Sequence, residues 1–400
     1  MTPWGAEEDI DRQVLFGRTV LQIAPALDAS PLAFACVEVA AALAEAGARA
    51  LVAGAPGPLV SELQARGGVF LPYAAAARNP WTAALNGRRL SKLVGREGVE
   101  LIHVRGSAAL KPAFYAARKE RIPLVAEYER GQNGLALGAD SVVVFSQEML
   151  DAAAKERPET ARRLFRGLRG VDLRSFSPDQ METGRVRRLR ESFQAQPHQR
   201  LIVALGLEAD GLKLFLAAAA QLKAKGFFAN AGQDTQFVWL HEDDDSPDSF
   251  EADSFEAEVE RLDLSGHVLH GVMEGASEDR AAACLAAALV VLPARETGYC
   301  IEAQAMGAPV ALLQQEGGPS GLEFLRVPPE VEAAMRTGWL VAPGQSGTLA
   351  RAAEEAARIG ASARDALGRR ARAHARSFSA ERMCALTLSV YARHFAGVQS

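Results

Sequence analysis

Short runs of apolar residues alternate along the chain with longer stretches in which apolar positions recur every three or four residues. The first runs are "TVLQIAP" (19–25), "RALVAG" (49–54), "VFLPY" (69–73), "VELIHVRG" (99–106), "PLVAEY" (123–128) and "SVVVFS" (141–146). Compact apolar runs bounded by Gly, Pro or polar residues read as buried strands. Between them lie "AFACVEVAAALAEAG" (33–47), "LVSELQARG" (59–67), "NPWTAALNGRRLSKLVGREG" (79–98) and "ALKPAFYAARKERI" (109–122), and a further stretch begins at Gln147. Their spacing predicts helices, the first ending on Gly47, a residue suited to a helix C-terminus. A turn-rich segment, "RGVDLRSFSP" (169–178), interrupts this rhythm and a charged helix follows it.

The alternation then restarts. Strands are expected at "RLIVALG" (200–206), "TQFVWLH" (235–241), "GHVLHGV" (266–272), "LVVLPA" (289–294), "PVALLQ" (309–314) and "GWLVAPG" (338–344). Helices are expected at "LKLFLAAAAQLKAKG" (212–226), "FEAEVERLDL" (255–264), "RAAACLAAA" (280–288) and "EAQAMGA" (302–308), with more after the last strand. Strands separated by helices of ten or more residues make parallel sheets. The pattern therefore predicts two α/β domains joined near 170–180. Ligands of such folds gather at the carboxyl ends of the strands, so the cleft between the two is the expected site.

Composition narrows the class. The chain has 400 residues, 48% of them apolar, enough for two sizeable cores. A net charge of −5 argues against a general nucleic-acid binder. Four cysteines (Cys36, Cys284, Cys300, Cys384) are widely spaced and form no CxxC pair. That excludes a zinc ribbon and fits a reducing compartment. No run reaches the ~18 apolar residues of a membrane span, and the first residues lack the apolar core of a secretory signal. The expected location is the cytoplasm. The acidic segment "HEDDDSPDSFEADSFEAEVE" (241–260) lacks EF-hand spacing and reads as a solvated loop running into a helix. GxGxxG after a strand, GxxxxGK[ST], GxSxG and HExxH are all absent.

Several stretches, in order, carry a resemblance: "TVLQIAPALD" (19–28), "ELIHVRGSAA" (100–109), "ADSVVVFSQEM" (139–149), "RGVDLRSFSP" (169–178), "EAQAMGAPV" (302–310), "TGWLVAPG" (337–344) and "RSFSAERMCALTLSVYAR" (376–393). Together they resemble the GT-B glycosyltransferases of family 4, especially bacterial enzymes of lipopolysaccharide core and envelope polysaccharide assembly. "RGVDLRSFSP" is similar to the family's interdomain signature. The resemblance implies two Rossmann-like parallel-sheet domains facing a cleft, with a terminal helix crossing back to the first. The implied divisions are a loose terminus over 1–17, an acceptor-side domain over 18–178, a nucleotide-sugar domain over 179–378 and the returning helix over 379–400.

The resemblance also implies a reaction: metal-independent transfer of a sugar from a nucleotide diphosphate to a saccharide or lipid-linked saccharide, with retained anomeric configuration. The nucleotide-diphosphate sugar is a co-substrate, and no separate cofactor is expected. Charge develops on the departing diphosphate, so fixed cations and N–H donors are needed there. A helix N-terminus supplies part of this field.

By this resemblance Glu302 holds the ribose, Glu296 the donor sugar, and the N–H groups around Thr297, Gly298 and Tyr299 the diphosphate, with Gly206 and Lys213 on the donor side. His103 and Arg105, at a strand end, are the acceptor-side candidates. The basic stretch "GRRLSKLVGR" (87–96) is the candidate for peripheral contact with an anionic membrane, against a solvated helix face.

The chain departs from the family pattern at several positions. Seven residues separate the two family glutamates; here five separate Glu296 from Glu302, and Ala294 holds the expected place. The family's "GR…KG" loop is "GLEADGLK" (206–213), with Leu207 for the Arg and Asp210 for the Lys. "ASPLAF" (29–34) replaces a glycine pair, and Pro31 has no N–H to offer a phosphate. "AEYERGQN" (126–133) lacks the family's histidine. Each lost charge-assisted hydrogen bond is worth about 1.5–3 kcal/mol. The alternative reading is thus a catalytically impaired protein that binds a saccharide or stabilises a second glycosyltransferase.

Overall fold

The computed structural model describes residues 12–396 apart from 29, 75–79, 129–134, 194, 197–198, 230–234, 243–251, 274–275, 295–296, 317–320 and 329–330. The chain divides into two compact units, Met1–Gly170 with Ala380–Ser400, and Val171–Ser379.

Unit 1 holds a seven-stranded parallel sheet. In chain order its strands are β1 (Thr19–Ala26), β2 (Arg49–Ala55), β3 (Val69–Pro72), β4 (Leu101–Val104), β5 (Leu124–Glu127), β6 (Ser141–Val144) and β7 (Leu164–Arg166). Their spatial order is β3-β2-β1-β4-β5-β6-β7. Strands β4, β5 and β6 are buried along their whole length, as covered parallel strands must be. Helix α1 (Pro31–Glu45) starts on a proline at its first turn, and the Ser30 hydroxyl accepts from the Ala33 N–H at 3.3 Å. The helices α2 (Val60–Ala65), α3 (Pro80–Glu97), α4 (Leu110–Glu120) and α5 (Gln147–Glu156) alternate with the later strands.

Unit 2 opens with α6 (Thr183–Ser192) and holds a six-stranded parallel sheet. Its strands are β8 (Arg200–Leu205), β9 (Thr235–Glu242), β10 (Val268–Met273), β11 (Ala287–Pro293), β12 (Val310–Leu313) and β13 (Gly338–Val341), ordered β10-β9-β8-β11-β12-β13. Its helices are α7 (Ala209–Ala224), α8 (Ala252–Arg261), α9 (Ala276–Ala286), α10 (Thr297–Ala305), α11 (Ser346–Arg358) and α12 (Ala361–Ala375). In α7, Leu212, Phe215, Leu216, Ala219 and Leu222 form one buried stripe against the sheet. The last helix, α13 (Ala380–Ala396), belongs to unit 1 and packs on α1. The architecture is the GT-B fold.

Three local expectations differ. Residues 12–17, read as part of a loose terminus, are ordered: Arg12–Leu15 form a 3-10 turn, Leu15 is buried, and the Gly17 N–H donates to the Gly47 carbonyl. β7 was not expected, because three half-buried residues carry no readable alternation. The alanine run at 281–288 reads as helix to its end, but the chain enters β11 at Ala287, which pairs with Leu201 of β8. Alanine's helical preference is weak beside sheet pairing. Most of the acidic loop before α8 lies outside the described residues.

Candidate functional site

The carboxyl ends of β8 and β11 lie side by side in unit 2, and α10 starts just beyond β11. Gly206 follows β8 with φ +62. A Cβ there would lie 3.0 Å from Cε2 of Tyr299, so glycine permits both the left-handed turn and the approach of the ring. Tyr299 sits in the first turn of α10, next to the buried Gly298. The leading N–H groups of a helix have no acceptor within it, so this end can accept an anion.

Glu302 follows Tyr299 on the same helix and is buried. The Arg280 guanidinium of α9 grips its carboxylate, Nε donating to Oε2 at 3.0 Å and Nη2 to Oε1 at 3.4 Å. Arg280 is itself only 2% exposed, and its Cζ lies 4.9 Å from the centre of the Tyr299 ring. The structure thus brings Gly206, Gly298, Tyr299 and Glu302 together and adds Arg280. A carboxylate oxygen can accept more than one hydrogen bond. With its charge offset by Arg280, Glu302 does not repel a nearby anion.

Other candidates fall elsewhere. The Leu207 side chain turns into the core of unit 2. Asp210 and Lys213 are exposed on α7 and pair with each other at 3.5 Å. Glu296 lies outside the described residues, as does the side chain of Thr297; Thr297 itself begins α10. Burial pushes the Cys300 thiol up to about 12, a value without nucleophilic character at neutral pH.

His103 and Arg105 are buried in unit 1. Arg105 donates to Glu127 Oε1 at 2.6 Å and, through Nε and Nη2, to Gln22 Oε1 at 3.1 and 3.0 Å. Gln22 in turn donates to the Cys36 carbonyl. Arg169 approaches the other Glu127 oxygen at 3.3 Å. His103 Nδ1 and the Tyr391 hydroxyl of α13 are 2.6 Å apart. Burial, reinforced by Arg105 and Arg169, drives the His103 pKa well below its usual 6.5, so the ring is neutral. For either side chain to reach an acceptor, these internal partners would have to be given up.

Sequence reasoning missed Arg280 and Glu127. An arginine at the head of the predicted alanine-rich helix 280–288 was the only signal for the first. The second stands at the end of an apolar strand run, where a charge needs a partner. Among the described residues, no group of three or more His, Cys, Asp or Glu side chains could hold a metal ion, and no helix is long and apolar enough to cross a membrane.

Solved structures with the same architecture cover nearly the whole chain. A glycosyltransferase from Rickettsia africae superposes with a TM-score of 0.73 at 18% identity, over 94% of this chain and 98% of its own. Sucrose-phosphate synthase from Thermosynechococcus elongatus gives 0.70 at 19% identity, over 95% and 100%. HepE of Anabaena, in complex with UDP and glucose, gives 0.68 at 16%, over 92% and 97%. No protein-family model matches the chain, and no curated protein matches it in sequence.

Proposed function

We propose that unit 2 binds a nucleoside-diphosphate sugar where β8, β11 and α10 meet, and that the chain is a family-4-type glycosyltransferase. The reaction is metal-independent transfer, with retained configuration, to a lipopolysaccharide or envelope-polysaccharide acceptor at the inner face of the cytoplasmic membrane. The observation that supports this reading is Glu302 on α10 beside Arg280, with the Tyr299–Gly206 contact at the start of that helix. There Glu302 accepts from ribose hydroxyls, and the N–H groups of Thr297, Gly298 and Tyr299 turn toward the diphosphate. Glu296 is the candidate to hold the sugar.

A second reading rests on Leu207 and Arg280. Leu207 is buried where a diphosphate-binding cation is expected, and Arg280 is engaged with Glu302. Lys213 is exposed and paired with Asp210. A site with so few cations aimed at the leaving group among the described residues binds better than it catalyses. On this reading the chain is a saccharide-binding or partner-stabilising subunit of a second glycosyltransferase. Titration calorimetry with UDP, GDP and ADP tests both readings. Micromolar binding of one nucleotide, weakened at least about tenfold in Glu302→Ala, supports the donor site. No binding of any of them at millimolar concentration removes it, and copurification with a motif-complete transferase then supports the subunit role.

A further inference from the structure

The amino edge of the unit 1 sheet carries a cavity of about 520 Å³. It opens where the chain enters β5, β6 and β7, at Leu124, Asp140 and Arg163. The end of α4 adds Arg118 and Arg121, and α13 adds His394. Asp140 is the one carboxylate in the lining, and its Oδ2 already accepts from the Leu124 N–H at 2.9 Å. Arg163 donates to the Ala139 carbonyl at 3.0 Å. Arg118 and Arg121 have no hydrogen-bond or ion-pair partner among the described residues.

Arg121 is the more telling of the two. It caps α4 in the left-handed conformation, φ 57 and ψ 42. Glycine enters that region freely, whereas an arginine there is strained. The chain uses glycine just past the ends of α1, α7 and α10, at Gly47, Gly226 and Gly307, all with positive φ. At α4 it keeps a guanidinium instead and bears the strain. Backbone strain retained in this way is a mark of functional positions. The helix dipole favours basic residues in the last turn of α4, but it does not account for Arg163, which precedes β7.

We propose that this cavity binds a phosphate-bearing polar molecule about the size of a hexose phosphate. Its volume falls within the roughly 300–1,000 Å³ of small-ligand sites. Guanidinium forks match phosphate oxygens in pairs. A free sugar phosphate and a lipid phosphate headgroup offer the same chemistry. The site is independent of the nucleotide reading of unit 2.

Calorimetry of the full chain with glucose 6-phosphate, inorganic phosphate and glucose tests the proposal. Saturable binding of the two phosphates, and none of glucose, is expected. The double variant Arg118→Ala/Arg121→Gly should weaken that binding at least about tenfold. Its melting temperature should stay level or rise, because glycine relaxes the left-handed position. Flotation with phosphatidylcholine vesicles containing phosphatidylglycerol separates the sources: vesicle binding lost in the double variant assigns a lipid-borne phosphate to the same site. The proposal is overturned if neither phosphate probe saturates at about 10 mM and vesicle binding is absent or unchanged in the variant. Phosphate binding that the variant leaves unaltered overturns it equally. A failure of UDP to bind would not affect this outcome, since the readout is the difference between wild type and variant.

Discussion

Each unit buries an Arg–Glu pair near the carboxyl edge of its sheet, and the two pairs are built differently. In unit 1, Glu127 ends β5 and is shared by Arg105 from the end of β4 and Arg169 from beyond β7. Gln22 and the His103–Tyr391 contact extend that cluster across β1 and α13. In unit 2, Glu302 and Arg280 join two helices, with one guanidinium serving both carboxylate oxygens. The first arrangement is a cross-brace through the sheet. The second leaves an aromatic ring and a helix N-terminus beside the carboxylate. The difference lies in the elements joined: strand ends in unit 1, two helices in unit 2.

Removing the carboxylates tests this comparison most strongly. Stranding a buried charge costs about 3–5 kcal/mol. Glu127→Ala and Glu302→Ala each take the carboxylate from a buried guanidinium, Arg105 or Arg280, and should both fall in this range. Urea denaturation of the two variants measures the losses, and a loss below about 1 kcal/mol in either would show that its pair behaves as a surface one.

Acidification gives the next largest effect, and it acts on both units. His103 in unit 1 is held well below 6.5 by burial first and by Arg105 and Arg169 second. His374 in unit 2 is lowered to about 4, again by burial first and then by Arg326. For each, the unfolded chain takes up a proton below pH 6.5 that the folded chain refuses. The stability each contributes is therefore complete above pH 6.5 and is lost as pH falls toward the folded pKa. The slope is about 1.4 kcal/mol per pH unit and per histidine. Urea midpoints between pH 7 and pH 5 should fall accordingly, and His374→Phe should remove its share of the fall.

Smaller effects sharpen the picture. Tyr391→Phe removes the hydroxyl beside His103 Nδ1 and leaves a buried ring nitrogen without its partner, at about 1–3 kcal/mol. Lys213→Ala should change stability by less than about 0.5 kcal/mol, since the side chain is exposed and its pair with Asp210 is a surface one. Nucleotide affinity should be unchanged as well. A tenfold loss there would mean that Lys213 reaches the phosphates when a ligand is bound, and would favour the enzymatic reading over the subunit role.

Much of the architecture was legible because it rests on local pattern. Val-rich runs such as 141–144 and 289–292 can be little else than buried parallel strands, and "EAQAMGAPV" marks a helix after such a strand, although that helix already starts at Thr297 and Glu302 lies within it rather than at its start. β7 escaped because three residues carry no period. Arg280 escaped because its partner is 22 positions away, on another helix. The basic cavity escaped for the same reason, its arginines coming from a helix end and from a turn some 40 residues later.

By itself, then, the sequence determined the alternation of strand and helix, the two α/β units and the cation-poor loop after β8, all properties of neighbouring residues. Only the tertiary structure decided which charges meet. It turned His103 and Arg105 inward, matched Arg280 to Glu302 and laid Tyr299 against Gly206. A charge's role depends on what surrounds it at a few ångströms, and in a parallel sheet those surroundings come from chain segments far apart.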